Sequence, residues 1–326
     1  MAHGHQGGPP SAAPPAAPTS TTLPCVDREC ESVVAVCPRT LREYLRGPTW
    51  MPSERAIEEL DGARTALDAL SASLARECEW SIDWHAALPD LDSMRSIASI
   101  LDADSRRLER FSRRDEAAAR IVAMFDLARA LARIPRLDAQ REAARLALQA
   151  CARAEQFFVA PPGSAPSGAV RAAIDAFMLV QNESLARCVA AERIRWVSRP
   201  VERIRLGQDG AALYRAATLE SAADISKSNE YPLSRLAGEL LLAEMRLAEA
   251  YFEAAQAAWL APDATAQLAA LAARAERGEL GAWIAAARPS FVRVRGEIDR
   301  ARATLKVLRH LASERESAAP KQLPVQ

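Results

Sequence analysis

Apolar residues recur at every third or fourth position along most of this chain, and this spacing constrains its fold more than any other feature. Leu60, Ala63, Leu67, Leu70 and Leu74 follow one another at such intervals, which places them on one face of a helix. Glycine, which weakens helices, occurs only 13 times in 326 residues. The sequence therefore predicts an all-α fold, either an irregular multi-helix bundle or an array of antiparallel helical hairpins.

Breaks in this spacing divide the chain into segments. Residues 1–24 are rich in Pro, Ala, Ser and Thr and hold too little apolar surface to form a core, so we expect a disordered N-terminal tail. Prolines and glycines at 160–168 indicate a linker. The predicted division is a disordered tail at 1–24, a Cys-containing lead-in at 25–52, a helical subdomain at 53–159, the linker at 160–168, a second helical subdomain at 169–312 and a frayed C-terminal tail at 313–326.

Two prolines mark helix boundaries. Pro232 is predicted to open the helix with the most regular apolar stripe of the chain, which consists of Leu241, Met245, Ala248, Phe252, Ala255 and Trp259. A helix that begins near Ala169 meets Pro200, which lacks a backbone N–H, so we expect that helix to kink or end there.

Charge and hydropathy exclude several classes of partner. The chain has 42 Lys and Arg against 42 Asp and Glu, so no net field attracts nucleic acid or anionic lipid. No stretch approaches the roughly 18 apolar residues of a membrane-spanning helix. Read from Met1, the sequence shows no signal peptide and predicts a cytoplasmic protein. If an upstream anchor or signal has been removed, the location is extracytoplasmic instead.

Cysteine and histidine form no recognised site. Cys25, Cys30 and Cys37 have a spacing that is not a zinc motif, and free thiols, a disulfide within this cluster and a metal site all stay open. His85 and His310 are the histidines outside the tail, and neither belongs to a metal-binding or nucleophile motif. The sequence therefore predicts no metal, no cofactor and no catalytic residue.

The first candidate binding site is the segment Trp80-Ser-Ile-Asp83-Trp84-His85. On a helix, Trp80 and Trp84 share a face and could line a ligand pocket with Asp83 or His85 at its edge. The alternative is that both indoles are core residues at a corner between helices.

The second candidate is the arginine-rich segment 192–205, which surrounds Pro200. Here Arg195, Trp196 and Arg199 could bind a phosphate or an acidic partner through paired N–H donors and ring stacking. The alternative is a solvated helix face on which arginines and glutamates three or four residues apart form ion pairs.

Residues 78–135 carry a family resemblance. The matching residues are Cys78-Glu-Trp80-Ser-Ile-Asp83-Trp84, Leu88-Pro89, Met94-Arg95 and Met124-Phe125-Asp126-Leu127-Ala128-Arg129. This pattern resembles a group of uncharacterised bacterial all-helical proteins that are often exported or membrane-anchored and whose function is unknown. The Gly-Arg-Tyr-Pro-type segment common near their C-termini is missing here. The resemblance implies an all-helical fold and leaves an extracytoplasmic location as an option, and it supplies no catalytic residue.

Long amphipathic helices without a catalytic motif favour a helical scaffold or protein-interaction protein without catalytic activity. Its partners would be other proteins, or a second copy of the chain bound through amphipathic helices. The alternative is a small-molecule or anion-binding helical domain that uses one of the two candidate sites.

Overall fold

A computed structural model of the protein describes residues 33–44, 51–75, 90–159, 167–218, 233–236, 238–287 and 290–318. Helix accounts for 88% of these described residues, and no strand occurs among them. This confirms the predicted all-α class. The predicted tail at 1–24 lies outside the described residues.

Thirteen α-helices and one π-helical turn are described in these ranges. The helices are α1 Pro38–Tyr44, α2 Glu54–Gly62, α3 Arg64–Ala75, α4 Leu91–Arg110, α5 Arg114–Ala132, α6 Leu137–Val159, α7 Ser167–Arg193, α8 Arg199–Ile204, α9 Gly210–Thr218, α10 Glu239–Leu260, α11 Ala264–Glu276, α12 Gly281–Ala287 and α13 Phe291–Ala318. The π-helical turn, Ile194–Ser198, lies between α7 and α8.

Short connections between long helices organise the bundle. Helix α5 packs against both α4 and α6, its neighbours in the chain, and also against α7. Because only residues 133–136 separate α5 from α6, the two helices form an antiparallel hairpin. Serine at position 53 caps α2, since its hydroxyl accepts a hydrogen bond from the Ala56 N–H at 3.2 Å. Helical structure begins before position 53, because α1 precedes this cap.

The buried apolar residues form two cores that share three helices. The first core takes Phe157 from α6, Phe177 from α7 and Leu308 from α13. The second core takes Leu137 from α6, Leu185 from α7, and Phe291 and Ile298 from α13. Each shared helix therefore crosses from one core to the other. The cores do not coincide with the predicted subdomains 53–159 and 169–312, and α13 extends to Ala318, into the segment predicted to fray.

A charged segment of α4 lies inside the first core. Asp104 is fully buried and accepts hydrogen bonds from Arg107 Nε and Arg120 Nε, both at 2.7 Å. Arg107 also pairs with Asp61 on α2, and Arg120 pairs with Asp68 on α3 at 2.5 Å. Hydrogen bonds from two guanidinium groups compensate the cost of burying this carboxylate. Asp104 thereby ties α4 to α5, and through the arginines to α2 and α3.

Asp102, one helical half-turn away, extends the same network towards α1 and α6. It accepts hydrogen bonds from Arg106 Nε at 2.9 Å and from the Tyr44 hydroxyl at 2.7 Å. Arg153 of α6 lies 3.7 Å from Asp102 and donates to the Ser105 hydroxyl at 3.0 Å. Burial, together with the Asp102 charge, raises the pKa of Tyr44. The phenol therefore stays protonated and keeps donating to Asp102.

The start of α12 requires a glycine. Gly281 has a φ of 87°, in the left-handed region that side chains rarely adopt. A Cβ at this position would clash with the carboxylate of Glu244. That carboxylate accepts a hydrogen bond from the Trp283 N–H at 2.9 Å, which satisfies a free donor at the beginning of α12.

We expect Gly281→Ala to lower the free energy of unfolding by about 2–4 kcal/mol, because it adds the strain of a positive φ to the displacement of the Glu244 carboxylate from the Trp283 N–H. The matched control is Gly278→Ala. Gly278 has a similar φ of 75°, but a Cβ added there would meet nothing within 4 Å, so this variant should lose only about 1 kcal/mol. Chemical denaturation followed by circular dichroism measures both, and equal losses would contradict the proposed clash.

Candidate functional site

Pro200 interrupts the helix that carries the second candidate site. Helix α7 ends at Arg193, and the next five residues form the π-helical turn before α8 begins at Arg199. In this turn the N–H of Arg199 bonds to the carbonyl of Ile194, a step of five residues. Because Pro200 has no N–H, it cannot serve the carbonyl of Trp196, four residues earlier. Helix α8 contains Pro200 and continues to Ile204, so the helical stretch does not end at the proline; the disturbance is a widened turn directly before it.

A tryptophan from α12 satisfies the carbonyl that Pro200 leaves free. The indole N–H of Trp283 donates to the Trp196 carbonyl oxygen at 2.8 Å, and Trp283 is fully buried. The rings of Trp196, Trp283 and Tyr214 contact one another, with centroid distances of 5.9, 6.2 and 6.3 Å. Such edge-on and tilted contacts are favourable for aromatic rings. The three side chains join the π-helical turn to α9 and α12.

Glu192 is a buried carboxylate at the end of α7, with 2% of its surface exposed. It accepts hydrogen bonds from the indole N–H of Trp196 at 3.1 Å and from the backbone N–H of Leu137 at 3.2 Å. Leu137 begins α6, where free N–H groups and the helix dipole favour a negative charge. Glu192 therefore fastens the start of α6 to the end of α7.

Arg195 is held by contacts within the chain. Its Nε donates to the carbonyl of Ala217, and its Nη1 lies 3.6 Å from Glu192 and 3.9 Å from Asp138. The guanidinium carbon lies 5.2 Å from the centroid of the Trp196 ring, at cation–π distance. These contacts fix the side chain in place and offset its charge.

Arg195, Arg199 and Arg203 line one shallow cleft together with Pro200 and Ala217. The cavity volume of the cleft is about 10 Å³, enough for roughly one water molecule. It does not enclose a small molecule, for which sites usually offer about 300–1,000 Å³. A phosphate or carboxylate could contact the arginines only at the surface.

The structure thus brings together three of the predicted site residues, Arg195, Trp196 and Arg199. Trp196 is 5% exposed and belongs to the second core. The other four, Trp80, Asp83, Trp84 and His85, lie outside the described residues. For that segment both the pocket and the core alternatives stay predictions.

Sequence reasoning did not find Tyr214 and Trp283 as neighbours of Trp196. One signal was present, because a proline inside a helical stretch leaves a carbonyl that needs another donor. A tryptophan elsewhere in the chain is a suitable donor, but the sequence does not say which one of them approaches.

The described cysteines are buried and free. Cys37, Cys151 and Cys188 form no disulfide. Burial raises the pKa of Cys37 and of Cys151 to about 12 each, so both are thiols at neutral pH and poor nucleophiles or metal ligands. Within the described part of the chain no group of three or more His, Cys, Asp or Glu could hold a metal ion.

The outer face of α10 is unusual because it exposes leucines. The predicted inner stripe of this helix, from Leu241 to Trp259, is buried as expected, although the helix begins at Glu239, after Gly238 with its positive φ, and not at Pro232. On the opposite side, Leu240 and Leu247 expose 61% and 41% of their surface, and Leu260 at the end of the helix exposes 66%. We use the name outer stripe for six exposed residues of this face: Leu240, Ala243, Leu247, Ala250, Ala254 and Ala257.

None of the helices in the described ranges combines the length and the apolar character that crossing a membrane requires. Comparison of the chain with protein-family models, with curated proteins and with solved structures finds no match.

Proposed function

We propose that this chain is a helical scaffold that binds a protein partner through the outer face of α10, and that it does not catalyse a reaction. The observation that carries the proposal is the set of exposed leucines on a helix whose inner face is already fully packed. Helices of globular proteins normally present polar residues to water. Apolar residues grouped on an exposed face mark protein-interaction surfaces.

The rest of α10 supports this interpretation because it presents a firm surface. The helix has 22 residues, and its inner face packs against α7, α8, α11 and α12. A partner would therefore meet a surface that is already ordered, which reduces the entropy lost on binding. Helix-in-groove and helix-on-helix recognition both use such apolar residues at intervals of three and four.

The alternative, a small-molecule or anion-binding domain, is less well supported. It would use the cleft of Arg195, Arg199 and Arg203, whose volume is about 10 Å³. Arg195 already contacts Glu192, Asp138 and a backbone carbonyl. The cleft is better explained as a joint between helices than as a binding pocket.

The proposal predicts that charge on the outer face of α10 abolishes partner binding. The test variant is Leu240→Glu combined with Leu247→Glu. Immobilised wild-type and variant chains are incubated with cell extract, and the recovered proteins are quantified by mass spectrometry. We expect recovery to fall at least about tenfold, because charges at the centre of an apolar contact remove its strongest contributors.

The matched control is Leu179→Glu. Leu179 lies on α7 and is 61% exposed, the same as Leu240, so this variant has a similar chemical change on another face. It should recover the same proteins as the wild type. If the double α10 variant keeps its circular dichroism spectrum and still recovers those proteins, the outer face of α10 is not the binding surface.

A further inference from the structure

The outer stripe has the spacing of a helix-pairing seam. Its six residues, 240, 243, 247, 250, 254 and 257, are separated by alternating intervals of three and four. This is the heptad pattern in which two helices pack side by side, with the six residues at the alternating a and d positions. Alanine at four of the positions lets two helix axes approach closely. The stripe is about 26 Å long at 1.5 Å per residue.

Two exposed charges flank the seam on one side. Arg246 and Glu253 lie one heptad apart, each directly before a stripe residue. Within the described part of the chain, neither forms an ion pair or a hydrogen bond through its side chain. Glu253 nevertheless lies close enough to Arg193 of α7 to contribute to the raised pKa of that arginine. The nearby pair of Arg193 and Glu249 is already complete. Arg246 and Glu253 can therefore each still form a direct ion pair with a partner.

We infer that the partner at this face is a second copy of the chain, paired with the first through two antiparallel α10 helices. In an antiparallel pair, flanking positions of the same type face each other across the seam. A twofold axis near Ala250 then places Arg246 opposite Glu253 of the second copy, and Glu253 opposite Arg246 of the second copy. Opposite charges thus meet twice, as expected for a surface that binds itself.

A parallel pair does not use these charges. It would place Arg246 opposite the residue five positions further along the second helix, which is Tyr251. Tyr251 is 3% exposed because it belongs to the second core. The position of the charges therefore selects the antiparallel arrangement.

This inference rests on the proposed function, in which the outer face of α10 is the binding surface. A seam of this length buries less than a standard interface of roughly 1,200–2,000 Å². We therefore expect a weak dimer with a dissociation constant on the order of micromolar.

Charge exchange tests the arrangement. Analytical ultracentrifugation of the full chain should show a monomer–dimer equilibrium. Arg246→Glu alone turns two attractive pairs into two repulsive ones and should weaken the dimer roughly tenfold. Glu253→Arg alone should do the same, and the two changes together should restore the wild-type dissociation constant. Arg300→Glu, an equal charge change at an exposed position of α13, is the control and should leave the equilibrium unchanged.

Three outcomes would overturn the inference. The wild-type chain would be monomeric up to about 1 mM, or the single charge changes would leave the dimer unaffected, or the double change would fail to restore it. The proposed function is tested separately. If the wild-type chain is monomeric but captures proteins that the Leu240→Glu, Leu247→Glu variant does not capture, the inferred dimer is wrong and the proposed binding through α10 stands. If the chain dimerises as described but captures no other protein, the second copy is the partner that binds the outer face of α10.

Discussion

Asp104→Ala should lower the free energy of unfolding by about 3–5 kcal/mol, the range expected when one partner of a buried ionic network is removed. The variant leaves the guanidinium groups of Arg107 and Arg120 inside the first core, where these side chains are 1% and 5% exposed. Their remaining carboxylates, Asp61 and Asp68, both lie at the surface with 56% of the side chain exposed. This loss is the free-energy penalty of a buried, uncompensated charge. Urea denaturation followed by circular dichroism measures it.

The control for this prediction is Asp299→Ala. Asp299 pairs with Arg295 at 3.0 Å, four residues apart on α13, and its side chain is 42% exposed. Surface pairs of this kind contribute about 0–1 kcal/mol. If the two alanine variants lose similar stability, the network around Asp104 does not hold the first core together in the way described.

The second large effect is expected at Trp283, which connects α12 to the π-helical turn. Trp283→Ala removes a fully buried indole and should cost about 3–5 kcal/mol. Trp283→Phe keeps an aromatic ring but removes the N–H that serves the Trp196 carbonyl. Since Pro200 cannot replace that donor, we expect this milder variant still to lose about 2–3 kcal/mol.

Trp259→Phe separates the hydrogen bond from the change in volume. Trp259 is 2% exposed, and its indole N–H makes no hydrogen bond within the described part of the chain. Its replacement by phenylalanine should cost about 1 kcal/mol, from imperfect packing alone. Thermal melts of the tryptophan variants measure the difference, and equal costs at the two positions would show that the bond to Trp196 contributes nothing.

The fold class could be predicted because helical periodicity is a local property. The inner stripe of α10 shows this, since Leu241 and Trp259 are buried as their spacing indicated. The burial of Asp104 could not be predicted in the same way. A charged residue ordinarily indicates a solvent-exposed position, and an arginine three residues away is equally compatible with a surface ion pair. The second partner, Arg120, comes from the next helix, and its approach depends on how the two helices pack.

The candidate sites show the same contrast between local properties, which the sequence predicts, and contacts that depend on helix packing. That Pro200 would disturb its helix follows from its own chemistry, and this was confirmed. The contact of Arg195 with Trp196 and its hydrogen bond to Ala217 could not be predicted. They depend on how the π-helical turn packs against α9, which no local pattern specifies. The outer stripe of α10 was also overlooked, because its alanines are equally compatible with the inside of a helix bundle.

The three helices shared between the cores bear on how the chain would respond to cleavage. A cut anywhere between residues 159 and 167 would leave α1 to α6 on one fragment and α7 to α13 on the other. Neither fragment would contain a complete core, because the first core needs Phe177 and Leu308 from the later fragment and the second needs Leu137 from the earlier one. The two pieces would bury their apolar faces only against each other. A nicked chain should therefore stay together as a non-covalent complex, and each fragment alone should be prone to aggregate.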